Sequence, residues 1–260
     1  MCNLLNISRS LVYYHPHPQA TNTDLDNLVI KIFNKSRKIY GSRKIQVELA
    51  LLGFKVSLRR IRRIMAKYQL ISSYFLKKYK KPATVTNNAT IPNILERSFN
   101  NRRLLEVIIS DLTYVRVDSH WSYVCLIIDL FNREIVGYST SNHKDALMVE
   151  NAFSTIKKDL NSIEIFHSDR GSEFDNRLID DVLTKYSIQR SLSRKGNPYD
   201  NAVAEATYKI FKTEFCFNRK FSNLQQLELE LFDYVNWFNN SRIHGSLGYL
   251  SPVNYRLLHI

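Results

Sequence analysis

Three carboxylates sit where they could act together. Asp111 lies inside a run rich in Val, Ile and Thr, between apolar neighbours. Asp169 follows a short apolar run, in HSDRGSEF. Glu205 lies in SRKGNPYDNAVAEATYKIFKTE, residues 193–214, a basic, glycine-containing loop that passes into a helix. Carboxylates brought close together raise one another's pKa, and a divalent cation relieves that repulsion. An oxygen-only ligand set favours Mg²⁺ or Mn²⁺ over zinc. Two such ions held about 4 Å apart suit in-line attack on a phosphodiester, one activating the nucleophile and one stabilising the leaving oxygen. Taken singly, each residue has an ordinary reading: Asp111 as a bulge or edge residue, Asp169 as a turn residue, Glu205 as a helix-surface charge.

The elements that must position them read as follows. Leu105–Asp118, Trp121–Leu130 and Glu134–Thr140 have strand-like composition, and their short connections predict antiparallel hairpins. Asp145–Leu160 reads as an amphipathic helix, Ile163–Phe166 as a fourth strand, Asn176–Tyr186 as a helix and Ile188–Leu192 as a fifth strand. The order predicts an antiparallel meander continued by right-handed crossovers. Sites in open sheets form beyond the carboxyl ends of strands, so Asp111 and Asp169 are expected to converge there. In the helix that follows, Asn197 and Asp200 are expected N-caps and Pro198 a first helical residue. Val203, Ala206 and Ile210 share one face, expected to pin the helix to the sheet, and Asn201, Glu205, Lys209 and Lys212 share the opposite one. Leu224–Phe238 is a further amphipathic helix, and the turn-rich tail is expected to dock on the core.

Charge separates the chain into two regimes. The net charge is +13, yet residues 1–81 hold 17 Lys+Arg against 3 Asp+Glu, while residues 82–260 hold 20 against 21. An excess confined to the first third points to a polyanion partner for that part. Residues 23–70 read as three helices, with Thr23, Ser42 and Ser57 as caps and Gly53 as a stop after the second. Leu25, Leu28, Ile32 and Phe33 are expected inward on the first helix. Leu58, Ile61, Ile64, Met65 and Tyr68 are expected inward on the third, with Arg59, Arg60, Arg62, Arg63 and Lys67 on its outer face. This pattern fits a helix-turn-helix-like module whose arginines neutralise DNA phosphates. Arg43 and Lys44 extend the basic set, and Arg194 and Lys195 suit a loop passing close to DNA. Three scattered cysteines suggest neither zinc nor disulfides, hence a reduced, cytoplasmic protein. The longest apolar run, Tyr123–Phe131, is interrupted by Asp129 and too short to span a bilayer. The expected organisation is a helical DNA-binding region over 1–76, a basic and polar linker over 77–103, a catalytic core over 104–240 and a docking tail over 241–260. Met1–Tyr13 reads as a helical fragment of something that begins further upstream.

With these residues in place, the sequence resembles bacterial insertion-sequence transposases of the second-reading-frame type, whose catalytic core is similar to retroviral integrases. The matching segments are SDLTYV, LIIDLFNREIVGYS, HSDRGSEF, SLSRKGNPYDNAVAE, FKTE and YVNWFNNSRIHGSLGYLSP, with YGSRKIQVEL and VSLRRIRRIM upstream. Thirty-five residues, Arg170–Ala204, separate the second aspartate from the glutamate, which is the family's spacing. The resemblance covers roughly residues 1–258. It implies an RNase H-like mixed five-stranded sheet flanked by helices, preceded by a small all-α domain. It carries the family's catalytic and metal-binding roles onto Asp111, Asp169 and Glu205, and places Lys209 and Lys212 near the element end. His167 and Asn201 also fall inside matching motifs. Two departures stand out: Ile108 where members commonly have Trp, and Ala206 where Ser often follows the glutamate. The implied activity is metal-dependent cleavage and strand transfer on DNA, with two Mg²⁺ or Mn²⁺ ions. The implied partners are element terminal repeats, target DNA, further copies of the chain and an upstream-frame helix-turn-helix product joined by fusion. The implied setting is the bacterial cytoplasm, at the nucleoid. Two rival readings stay open, an RNase H-like nuclease that cuts without joining and a non-catalytic DNA-binding remnant or inhibitor.

Overall fold

The computed structural model describes residues 23–75, 91–194, 197–217 and 219–260. They belong to two compact units, one ending at Ile71 and one beginning at Ser72, a boundary slightly earlier than the expected 76. The fragment expected over Met1–Tyr13 and the basic run 77–81 lie outside the described residues.

The first unit contains helices α1 (Thr23–Lys35), α2 (Ser42–Leu51) and α3 (Leu58–Lys67). Leu25, Val29, Ile32 and Phe33 of α1 are buried together with Ile45, Leu49, Ile61 and Ile64. Leu28, expected inward, is only half-buried, and Val29 takes its place. Ser57 caps α3 as expected, its hydroxyl accepting from the Arg60 N–H. Ser42 does not cap α2. The N-cap is Gly41, and Ser42 is the first helical residue, its hydroxyl accepting from Arg62 Nε at 3.4 Å. Gly53 ends α2 at φ +85°, and the N–H groups of Gly53 and Phe54 donate to the carbonyls of Ala50 and Leu49. That is a Schellman closure, and it needs the left-handed conformation that glycine adopts without a Cβ penalty.

The second unit is built on a five-stranded sheet. Its strands are β1 (Val107–Val117), β2 (His120–Asp129), β3 (Ile135–Ser141), β4 (Ile165–Ser168) and β5 (Gln189–Leu192), in the order β3-β2-β1-β4-β5. The first three are antiparallel neighbours, and β4 and β5 run parallel to β1. This is the mixed sheet of an RNase H-like core. Helices α4 (Ala146–Ser154) and α5 (Arg177–Lys185) bury Met148, Val149, Phe153, Ile179 and Leu183 against Ile108, Cys125, Ile127 and Phe166 of one sheet face. A Cβ on Gly137 of β3 would lie 2.5 Å from the Ala152 carbonyl oxygen, so α4 approaches the sheet as closely as glycine allows. The helix expected over Asp145–Leu160 stops at Ser154. There the Thr155 hydroxyl donates to the Ala152 carbonyl at 2.7 Å and accepts from the Tyr138 N–H at 2.9 Å, tying the chain to the β3 edge. Helices α6 (Ala202–Phe211) and α7 (Leu224–Asn240) pack against β1 and β3.

Both ends of this unit close on the sheet. Residues 91–103, expected as linker, dock beside β5. Leu95 is fully buried, the N–H groups of Ile94 and Leu95 donate to Ser191 Oγ, and Leu192 N–H donates to the Pro92 carbonyl. The segment thereby covers an edge strand whose backbone groups would otherwise be unpaired. The tail ends in a helix, α8 (Pro252–His259), and the Pro252 carbonyl accepts from the Asn132 amide at 3.0 Å. Among the described residues no helix is long and apolar enough to cross a membrane.

Candidate active site

Strand β1 has 11 residues, but β4 pairs with only its first three, Val107–Ile109. Beyond that point β4 leaves the edge of β1 unpaired until Val117, which bridges to Phe221. Ile109 pairs with His167, and the two strands are parallel. Asp111, within β1, and Asp169, just past the end of β4, each lie two residues further on, so the strand period carries both carboxylates to the same side of the sheet where the β1–β4 pairing stops. Burial pushes Asp111 up to about 7, reinforced by the charge of Asp169 and by that of Glu205 and opposed by the Leu112 N–H and by Lys212. Burial also raises the pKa of Asp169, and Glu173 adds to the rise, while the Gly171 N–H, 3.0 Å from Oδ1, and Lys144 oppose it. Asp169 and Glu205 are therefore each close enough to act on the charge of Asp111. Their donor chemistry, oxygen only, fits a hard divalent cation. Among the described residues no three His, Cys, Asp or Glu side chains are already gathered at ligating distance.

Glu205 comes from an element unlike the one expected. Pro198–Asn201 forms a 3₁₀ turn, α6 follows, and Lys212–Cys216 continues it as a π turn. Neither Asn197 nor Asn201 caps through its side chain, and Asp200 is no cap at all. Its carboxylate is buried, gripped by Arg97 Nε at 2.7 Å and Arg194 Nε at 2.9 Å. The hydrogen bonds from both guanidiniums and from the Arg194 N–H outweigh the effect of burial and hold it far below the usual carboxylate range. The buried face of α6 is Ala204, Thr207, Tyr208 and Phe211, whereas Ala206 is exposed and Val203 and Ile210 are half-buried. The packed stripe is one residue, about 100°, from the predicted one. Glu205 thus flanks the buried face instead of opposing it, and it is half-buried.

Tyr208 explains the rotation. Its ring is buried, and its hydroxyl donates to the Asp111 carbonyl while accepting from Leu126 N–H at 2.6 Å. Asp111 and Leu126 are cross-strand partners, so one phenol one turn from Glu205 touches the main chain of both strands at the first aspartate. Sequence polarity hides this role, because a tyrosine with a satisfied hydroxyl is as much a core residue as a phenylalanine. Tyr208→Phe keeps the ring and leaves two buried backbone groups to find new partners. The expected loss of unfolding free energy is about 1–3 kcal/mol, read by urea denaturation, and a variant as stable as the parent would refute the bridge.

Other groups close the site from behind. His167 Nε2 is 3.1 Å from the Asp200 carbonyl, which only accepts, so Nε2 carries the proton and Nδ1 accepts from the Ser191 hydroxyl at 2.8 Å. Burial lowers its pKa to about 4. The ring is a neutral strut joining β4, β5 and the 3₁₀ turn. Glu173, a buried carboxylate that sequence reasoning missed, pairs with Lys144 Nζ at 2.9 Å and folds back on Gly171, where a Cβ would collide with it. The tight HSDRGSEF run was the only local signal for it.

The expected DNA contacts distribute unevenly. Arg43, Arg59, Arg60, Arg62 and Arg63 are exposed in the first unit. Lys44 lies over the Tyr40 ring at 4.9 Å. Lys67 bonds Asp26 of α1 at 2.7 Å, a staple between helices as much as an outward charge. Arg194 is half-exposed, but its guanidinium is engaged with Asp200. Lys195 lies outside the described residues. Lys209 is exposed on the last turn of α6, and Lys212 lies over the Tyr114 ring at 5.3 Å, near enough to Asp111 to favour its ionised form.

Comparison with known proteins bears on the same regions. Residues 102–198 and 205–258 match two family models, each described as an integrase core domain, and residues 20–79 match one described as an HTH-like domain. InsK of Escherichia coli (strain K12), named as a transposase for insertion sequence element IS150, is 32% identical over 258 residues, spanning 96% of this chain and 90% of that protein. The transposase for insertion sequence element IS904 of Lactococcus lactis subsp. lactis (strain IL1403) is 28% identical over 248 residues, spanning 94% and 98%. Among solved structures, the HTLV-2 integrase catalytic core domain in complex with magnesium is 15% identical, with a TM-score of 0.45, over 58% of this chain and 95% of that one.

Proposed function

The chain belongs to the insertion-sequence transposases with an integrase core domain, and from that premise we propose that Asp111, Asp169 and Glu205 are its catalytic carboxylates. One observation carries the assignment. Asp111 and Asp169 each stand two residues beyond Ile109 and His167, the last registered pair between the parallel strands β1 and β4, and the charge of Glu205 is felt at the first of them.

The proposed reaction exchanges one phosphodiester for another. Water first cleaves a strand at the element end, and the freed 3′-hydroxyl then attacks a phosphodiester of the target. The three carboxylates would hold two Mg²⁺ or Mn²⁺ ions, which when bound supply a lowered pKa for the attacking oxygen and charge stabilisation for the leaving one. The protein's own part is positioning. Tyr208 fixes the Glu205 helix against Asp111, His167 and Asp200 hold the loop that leads into that helix, and Lys209 and Lys212 offer positive charge to phosphates. Residues 23–71, with the arginines of α3, would grip the DNA ends through their phosphates. Joining two ends needs at least two such centres, so the working form would be an oligomer on DNA. Fusion to an upstream-frame product is tested on the nucleotide sequence, by a slippery heptamer in an overlapping frame.

The biochemical test uses the whole chain, a labelled element-end duplex and Mg²⁺. The expected result is a joined product. Cleavage without joining would favour a nuclease, and no cleavage even with Mn²⁺ would favour a DNA-binding remnant.

A further inference from the structure

Past Asp111, the β1–β2 hairpin carries three side chains, Tyr114, Arg116 and Trp121, that the reaction just described does not use. Arg116 pairs across the strands with Trp121, and Tyr114 with Tyr123. The rings of Tyr114 and Trp121 meet edge to face, 5.0 Å between centroids. The Arg116 guanidinium lies 5.4 Å from the Trp121 ring, and Lys212 Nζ lies 5.3 Å from the Tyr114 ring. The row therefore runs Lys212, Tyr114, Trp121, Arg116: cation, ring, ring, cation. Trp121 is 51% exposed, whereas the other tryptophan, Trp237, is 9% exposed. A solvent-facing indole at a hairpin end adds little to a core, and here both ends of the row carry positive charge. The Lys212 end lies near enough to Asp111 for its charge to favour the ionised carboxylate. The row also starts on the stretch of β1 that β4 leaves bare.

We propose that Tyr114, Arg116, Trp121 and Lys212 form a binding platform for a single strand of DNA leading away from the carboxylates, with bases stacked on the rings and phosphates held by the two cations. Aromatic faces stack any unpaired base, and interleaved cations track the backbone. A duplex keeps its bases stacked on one another and offers no such face. The proposal rests on the catalytic reading only for the direction in which the strand runs.

The test is binding by the full chain in EDTA, where no chemistry occurs. Trp237→Phe leaves Trp121 as the sole indole. Short oligo(dT) is expected to quench its fluorescence saturably, and an abasic oligonucleotide of equal length is expected not to. A second measurement needs no change at Trp237. It is the ratio of affinities for oligo(dT) and for the abasic strand, by fluorescence anisotropy. Phosphate contacts made elsewhere in the chain affect both ligands alike and cancel. The parent is expected to prefer oligo(dT) by about 5- to 150-fold, the range for one stacked base, and Trp121→Leu to bring the ratio near one. Arg116→Ala should weaken both ligands severalfold. An absence of quenching, or an unchanged ratio in Trp121→Leu, would overturn the proposal. Glu205→Gln added to Trp237→Phe should leave the quenching unchanged, so failure of the platform and failure of the catalytic assignment are read separately.

Discussion

Glu205→Gln abolishes strand joining while leaving duplex binding at the parent level: that is the expected result if Glu205 is a metal-binding carboxylate. The amide has nearly the same shape, so α6 keeps its packing through Ala204, Thr207, Tyr208 and Phe211. What is lost is the negative charge that, with Asp111 and Asp169, offsets the cost of gathering divalent cations. Metal-ion stabilisation of a transition state is worth several kcal/mol, and each 1.4 kcal/mol is a factor of ten in rate. A fall of about 10³-fold or more is expected in the joined product. Binding should survive, because the exposed arginines of α3 are untouched. Joining at the parent rate with Mg²⁺ supplied would sink the assignment.

The largest expected effect on stability lies behind the site. Glu214, in the π turn, and Arg242 are both buried, with Arg242 Nη2 2.6 Å and Nε 2.8 Å from the two carboxylate oxygens. Tyr74 and Tyr234 also donate to Glu214, and Arg242 donates to the Tyr74 hydroxyl at 3.1 Å. Burial alone would lower the Arg242 pKa, but the Glu214 charge more than reverses that and holds the guanidinium protonated. Arg242→Met strands a buried carboxylate, and removal of one partner of such a pair costs about 3–5 kcal/mol. The double variant Glu214→Leu/Arg242→Met leaves no orphan charge and should recover much of the loss. Chemical denaturation decides the matter. A single variant within 1 kcal/mol of the parent would mean that the pair contributes little.

Local pattern was enough to find the strands, to within about two residues, because alternation has a short period and turn residues mark its ends. Asp111 and Asp169 were legible as candidates for the same reason, since a carboxylate within one strand and another just past the end of a second can be read without knowing what surrounds them. The α6 face was not legible, because Tyr208 and Thr207 look polar until their hydrogen-bond partners are known. Asp200 looked like a cap because nothing nearby announces Arg97, a partner more than a hundred residues away. Residues 91–103 looked like linker because short polar segments that complete a sheet edge carry no periodicity. Glu173 and Lys144 escaped notice because their pairing bridges two loops.

The Glu214 pocket has a consequence for synthesis. Its walls come from Tyr74, Tyr234 and Arg242, and a ribosome delivers them in that order, N-terminus first. Until residue 242 emerges, the Glu214 carboxylate lacks its guanidinium partner, and the π turn that follows α6 lacks the group that engages both carboxylate oxygens. A message broken or terminated before that codon therefore yields a chain that carries all three carboxylates yet lacks the group that locks their scaffold.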